Sequence, residues 1–135
     1  MSAKVQHYRD YTVNALRLYY RLKKPSTEGE AYSNLVLFEK YNNLKFSRHE
    51  RECLVHDVMC VHKLIAELKA TEEGKEKADI LSEVYINQNK GKGAISDAVV
   101  HASLSFHVSP ATVNRILRKC RLRYAEIRGL STLSL

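Results

Sequence analysis

Apolar or small residues recur at Val5, Tyr8, Thr12, Ala15, Tyr19 and Leu22, with Thr12 the one polar member. Steps alternating between three and four residues keep all six on one side of an α-helix. The pattern predicts a helix over residues 3–23, widened by Tyr11 and Leu18. Lys23 and Lys24 fall in its last turn, where cations suit the helix dipole, and Pro25 stops it. Thr27 and Glu30 have the spacing of a capping box. A second helix therefore runs to about Tyr41, turning Leu35, Phe38 and Tyr41 inward, until Asn42 and Asn43 break it. Ser47 and Glu50 repeat the signature and open the longest helix, about 47–70, with the stripe Leu54, Val58, Val61, Ile65 and Leu68. The stripes of 3–22 and 54–68 are heptad-like and offer seams for a bundle partner or a second copy.

Residues 71–77, TEEGKEK, are a polar connector or a helix start. A shorter helix is expected from Ala78 to Ile86, with Ile80, Leu81, Val84 and Tyr85 apolar. Asn87 to Gly93, NQNKGKG, reads as a linker. Ser96 suits the N-cap of a helix running to about Phe106. Ser109 followed by Pro110 then restarts a helix, since Ser favours the N-cap and Pro the first helical position. That helix runs to about Arg128, with Gly129 as its C-terminal cap and an inner stripe of Val113, Ile116, Leu117, Cys120, Tyr124 and Ile127. Two helices joined by so short a turn are a helix-turn-helix arrangement. The fold class expected is all-α: residues 1–75 form a helical N-terminal bundle for dimerisation or interaction, and residues 76–135 form a C-terminal helix-turn-helix region.

Composition narrows the field. The chain has 135 residues, with two prolines and five glycines, too little turn material for a sandwich or barrel. Hydrophobic residues at 44% and charged residues at 27% exclude a disordered chain. Cys53, Cys60 and Cys120 are odd in number and lack CxxC spacing, which implies a reducing compartment. No apolar run approaches the ~18 residues a membrane span needs, so no membrane partner is expected. Lys4, Arg9 and Asp10 interrupt any signal-peptide core, and the expected location is the cytoplasm.

The net charge is +7, and it is unevenly spread. Residues 1–24 carry +5, residues 25–89 carry −4 and residues 90–135 carry +6. A basic module beside an acidic one implies that a particular face meets a polyanion. Double-stranded DNA is the partner to expect once the helix-turn-helix is considered with it. Ala102 and Ser103 supply the small residues where the second helix crosses the first. Phe106 and Val108 flank the turn, and Val113 and Ile116 are buried positions. Ser109, Ala111, Thr112, Asn114, Arg115 and Arg118 face outward, to reach base edges. Asn pairs bidentately with adenine and Arg with guanine. Lys92, Lys119, Arg121, Arg123 and Arg128 are the expected phosphate partners. His107 stands in the turn, where glycine is common because positive φ is often required.

The stretch from Ile80 to Ile127, with LSEVYI and then HVSPATVNRILRKCRLRYAEI, resembles the C-terminal helix-turn-helix of phage late-gene transcription regulators of the RinA/ArpU type. These in turn resemble the DNA-binding region of sigma factors. Phe106-His107-Val108-Ser109 and the step from Thr112 to Ile116 carry the likeness, over about the last 50 residues. The resemblance implies a phage or prophage regulator acting in a bacterial host. In it the helix starting at Ser109 enters the major groove, and the N-terminal helices dimerise or meet RNA polymerase. The loop Asn87–Gly93 is longer than the connection usual in that family.

Other features have plainer readings. His49, Cys53, His56 and Cys60 fall on one helical face, and Cys/His pairs four apart can share a zinc ion. One helix alone cannot close a tetrahedral site with all four, so no metal is expected. Tyr8, Tyr11, Tyr19 and Tyr20, interleaved with Arg9, Arg17, Arg21, Lys23 and Lys24, have the composition of a single-strand stacking surface, or of packing residues with snorkelling neighbours. His62 with Glu67, and His56 with Asp57, read as surface pairs. No Gly-rich phosphate loop, HExxH or nucleophile elbow is present, so neither an enzyme nor a cofactor is expected. Two functions remain: a sequence-specific DNA-binding regulator, homodimeric, and a helical interaction or DNA-packaging protein resembling small terminase subunits.

Overall fold

Local capping chemistry decides where the helices begin. In the computed structural model, which describes residues 3–86 and 94–130, six helices follow one another: α1 (Ala3–Arg21), α2 (Glu28–Tyr41), α3 (Arg48–Lys69), α4 (Glu72–Ile86), α5 (Ala94–Phe106) and α6 (Pro110–Arg128). No strand occurs among the described residues, so the fold class is all-α. The Glu50 amide donates to Ser47 Oγ at 3.1 Å while the Ser47 amide donates to Glu50 Oε1 at 3.0 Å, a complete capping box. Thr27 Oγ1 accepts from the Glu30 amide at 3.1 Å. The stretch 71–77 is a helix start: Thr71 Oγ1 accepts from the Gly74 amide at 3.0 Å, and Glu72 and Glu73 occupy the first turn. Gly74 fits there because an added Cβ would overlap the Leu68 carbonyl.

Helix ends share one device. After α1, α2, α5 and α6 a residue with positive φ reverses the chain: Lys23 at 63°, Asn43 at 53°, His107 at 56° and Gly129 at 86°. In each case the next amide reaches back five residues: Lys24 to Tyr19 at 3.0 Å, Leu44 to Glu39 at 2.9 Å, Val108 to Ser103 at 3.1 Å and Leu130 to Ala125 at 2.8 Å. These are Schellman closures, which satisfy carbonyls left over at a helix end. Lys23 and Lys24 therefore lie beyond α1, in left-handed backbone, rather than in its last turn. Ser96 is not an N-cap either, because α5 starts two residues earlier and takes Asp97 into its first turn.

α3 is the central element, touched by α1, α2, α4 and α6, while α5 rests on α4 and α6. One apolar cluster draws on all six helices, so the core is continuous across the expected boundary at residue 75. Val58, Val61 and Ile65 are buried as expected, with Leu54 and Leu68 half-buried. Val55 and Leu64 join them because α3 has neighbours on more than one side. Among the described side chains of α1, Thr12, Val13, Ala15, Leu16 and Tyr19 are buried, and Leu22, just past its end, joins them. Among the described side chains, most of the two heptad-like stripes thus pack inside one copy. Tyr41, expected inside, is 84% exposed. α2 touches α3 alone among the described helices, so only Ala31, Leu35 and Glu39 are buried. No described helix is long and apolar enough to cross a membrane.

Candidate nucleic-acid interface

The α5–α6 corner is built from small residues and capping bonds. Ala102 and Ser103 are buried where the two helices meet, and Ser103 Oγ donates to the Val100 carbonyl at 2.8 Å. Phe106 and Val108 pack on the core from either side of His107. Ser109 Oγ accepts the Thr112 amide at 3.1 Å and lies 3.0 Å from the Thr112 hydroxyl. Pro110 takes the first helical position, and no acidic residue occupies the first turn. The turn is three residues, His107 to Ser109.

α6 divides by face. Val113, Leu117, Cys120, Tyr124 and Ala125 are buried, while Ile116 and Ile127 are half-buried. Of the residues expected to read bases, Ser109, Ala111, Asn114, Arg115 and Arg118 are exposed, and Thr112 is half-buried. Lys119 is exposed beside them. Arg115, Arg118 and Lys119 make no ion pair among the described residues. One edge of this surface, formed by Thr112, Arg115 and Lys119, borders a groove of about 440 Å³ that Leu64, Leu68 and Lys77 close from the other side.

The remaining basic residues of α6 are engaged within the protein. Arg123 donates through Nε to Glu67 Oε2 at 2.9 Å and through its terminal nitrogen to the second carboxylate oxygen, a two-pronged pair. This pairing holds Glu67 below the usual carboxylate range. Arg128 donates through Nε to Asp57 Oδ1 at 2.7 Å. Its guanidinium is held above its ordinary value, mainly by that hydrogen bond. Arg121 is half-buried near Tyr85, whose hydroxyl is pushed up by burial while the Arg121 charge opposes the shift. Arg123 and Arg128, expected on phosphates, are thus each paired with a carboxylate of α3, and a guanidinium so paired must give up that pair to take a phosphate. Lys92 lies outside the described residues.

Two acids are buried, and one of them, Asp57, was expected on the surface. Asp57 is 5% exposed, and its Oδ1 also accepts the Tyr11 hydroxyl at 2.6 Å. Arg128 reaches Tyr11 as well, with its terminal nitrogen 3.3 Å from the hydroxyl and its Cζ 5.9 Å from the ring centre. Glu39 is 3% exposed and accepts from Arg51 Nε at 2.9 Å, from Arg51 Nη2 at 3.0 Å and from the Phe46 amide at 2.7 Å. The tyrosines follow the same logic. Tyr19 is buried, with the half-buried Tyr20 edge-on to it at 5.1 Å. With Tyr11 tied to Asp57, these residues pack instead of forming a stacking surface; the Tyr8 side chain lies outside the described set. The Cys/His face resolves into two separate couples, Cys53 Sγ 3.7 Å from His49 Nε2 and Cys60 Sγ 3.9 Å from His56 Nε2. Among the described residues no three His, Cys, Asp or Glu side chains gather to hold a metal ion.

No family model, curated protein or solved structure matches the chain.

Proposed function

We propose that this protein is a sequence-specific DNA-binding transcription regulator of phage or prophage origin, acting in the cytoplasm of a bacterial host, with α6 as the helix that enters the major groove. One observation carries the reading. α6 sorts its polar residues into two sets: Arg123 and Arg128 are paired with acids of α3, whereas Asn114, Arg115, Arg118 and Lys119 stand exposed on its N-terminal half. The exposed set holds the side chains suited to adenine and guanine edges, with a lysine for phosphate next to them. The ordered corner at Ser109 and Pro110 supports the reading, because a recognition helix reads with its N-terminal residues and needs a fixed entry angle. The acid-poor first turn leaves the amide end of α6 open to a phosphate. In this account double-stranded DNA is the partner, and RNA polymerase is a second contact made through the rest of the helical bundle. Selection of bound sequences from a random duplex pool tests the proposal. Enrichment of a defined motif is the expected result, and recovery of the pool's own composition contradicts it.

A further inference from the structure

α2 is the helix with one neighbour. Its outer side carries Tyr32, Val36, Leu37 and Tyr41 into solvent, and Leu44 follows just past its end. Leu37 is 51% exposed. Gly29 and Ser33 lie on the same side and leave room for close approach of another helix. A groove of about 190 Å³ extends this surface, where Leu37, Phe38 and Tyr41 meet Arg21 and Lys23 at the end of α1. The charges on α2 are segregated. Glu28 and Glu30 stand in the first turn, Lys40 in the last, and Lys45 shortly after it. All four are exposed, and none forms an ion pair among the described residues.

We propose that a second copy of this chain docks on this face, α2 against α2, antiparallel about a two-fold axis near Val36. The charge pattern selects the occupant and the direction. An acidic start, an apolar middle and a basic end are complementary to themselves only when the second helix is reversed. Glu28 and Glu30 then come level with Lys40 and Lys45 of the other copy, at both ends of the contact. A parallel pair would set like charge on like. A two-fold contact is isologous, so one patch serves both copies and the assembly closes at two. The described residues of the α1 and α3 stripes are mostly buried within one copy, and most of the large apolar side chains exposed among the described residues lie on or just past α2. α2 has fourteen residues, about 21 Å of helix, shorter than a standard interface requires, so the dimer should be reversible. The proposal stands independently of any DNA reading by α6.

Sedimentation velocity of the full chain, from low-micromolar to hundred-micromolar concentration, should show a monomer–dimer equilibrium. Leu37→Glu changes an exposed side chain, so helicity by circular dichroism should be unchanged while the dimer disappears over the whole range. Glu28→Lys/Glu30→Lys and Lys40→Glu/Lys45→Glu should each weaken self-association roughly tenfold or more, because each sets like charges together. Mixed in equal amounts, the two variants should form a one-to-one heterodimer in which every end pair is again opposite in sign. A native chain that stays monomeric overturns the proposal. So does a ring, a dimer that survives Leu37→Glu, or a mixture of the charge variants that fails to associate.

Discussion

Arg128 of α6 and Tyr11 of α1 donate to the same oxygen, Asp57 Oδ1 of α3, at 2.7 and 2.6 Å. One buried carboxylate therefore ties together the helix proposed to read DNA, the central helix and the N-terminal helix. Arg128→Ala leaves that carboxylate without its counter-charge and should cost about 3–5 kcal/mol, measured by denaturant unfolding. Tyr11→Phe removes one hydrogen bond and should cost about 1 kcal/mol. Asp57→Ala combined with Arg128→Ala should cost less than the sum of the two single changes, since the double variant buries no unpaired charge. A neutral Arg128→Ala would return Arg128 to the residues available for phosphate.

The division of cations along α6 has its own consequence for binding. Lys119→Ala should weaken every duplex similarly and lower the salt slope by about one counterion. Arg123→Ala should leave the slope unchanged and lower the melting temperature instead, because Glu67 already holds that guanidinium. Anisotropy titrations over a salt series, run beside thermal melts, separate the two. A smaller slope for Arg123→Ala would show that its pair with Glu67 opens on DNA.

Backbone geometry makes opposite demands at two positions. His107 holds φ at 56°, a left-handed conformation in which a Cβ is costly. His107→Gly should stabilise the protein by roughly 0.5–1 kcal/mol, the relieved strain being partly offset by glycine's greater freedom when unfolded. Gly74→Ala should do the reverse, because the new methyl meets the backbone of Leu68 rather than a side chain that can turn away. Chemical denaturation of the two variants should move the midpoint in opposite directions.

Stability should fall at both pH extremes for different reasons. Burial, and then the hydrogen bond to Asp57, push the Tyr11 hydroxyl up to about 12. Burial also raises Tyr19, Tyr20, Tyr85 and Tyr124. A raised folded-state pKa contributes stability fully below the unfolded value, about 10 for tyrosine, and loses it as pH rises through the folded value. The melting temperature should therefore decline from about pH 10 upward, with tyrosine ionisation by ultraviolet absorbance delayed until unfolding. On the acid side, hydrogen bonds from Arg51, Ser47 and Arg123 lower Glu39, Glu50 and Glu67 respectively. Their contribution is present above the ordinary glutamate value and is lost as pH falls through the lowered ones. Arg51→Ala should thus reduce the acid sensitivity of the melt.

Helix positions were largely legible because their signals are local. Ser47 with Glu50, Thr27 with Glu30, and Ser109 with Pro110 each act within one turn, and all three open a helix at that point. The inner stripe of α6 was legible for the same reason, since period alone sets Val113, Leu117, Cys120 and Tyr124 on one side. What depends on distant neighbours was not. Asp57 has a charged residue's composition and a core residue's surroundings, because Arg128 arrives from 71 positions away. Arg123 read as a free cation until α3 placed Glu67 against it from 56 positions away. Tyr41 continued the inner spacing of α2, yet among the described helices none covers that end. One signal could have helped: Asp57 shares the α3 segment with Val58 and Val61, a mostly apolar stretch in which an acid needs a partner.

The most direct test of the proposed DNA reading compares Asn114→Ala and Arg115→Ala with the native protein by fluorescence anisotropy. The duplexes are the selected site and a random sequence of equal length. Both side chains are exposed, so the variants should remain folded by circular dichroism. Each should lose roughly 1–3 kcal/mol on the selected site and much less on the random duplex. Unchanged affinity for both duplexes in a folded protein would show that α6 does not read base edges, and the proposed function would fall with it.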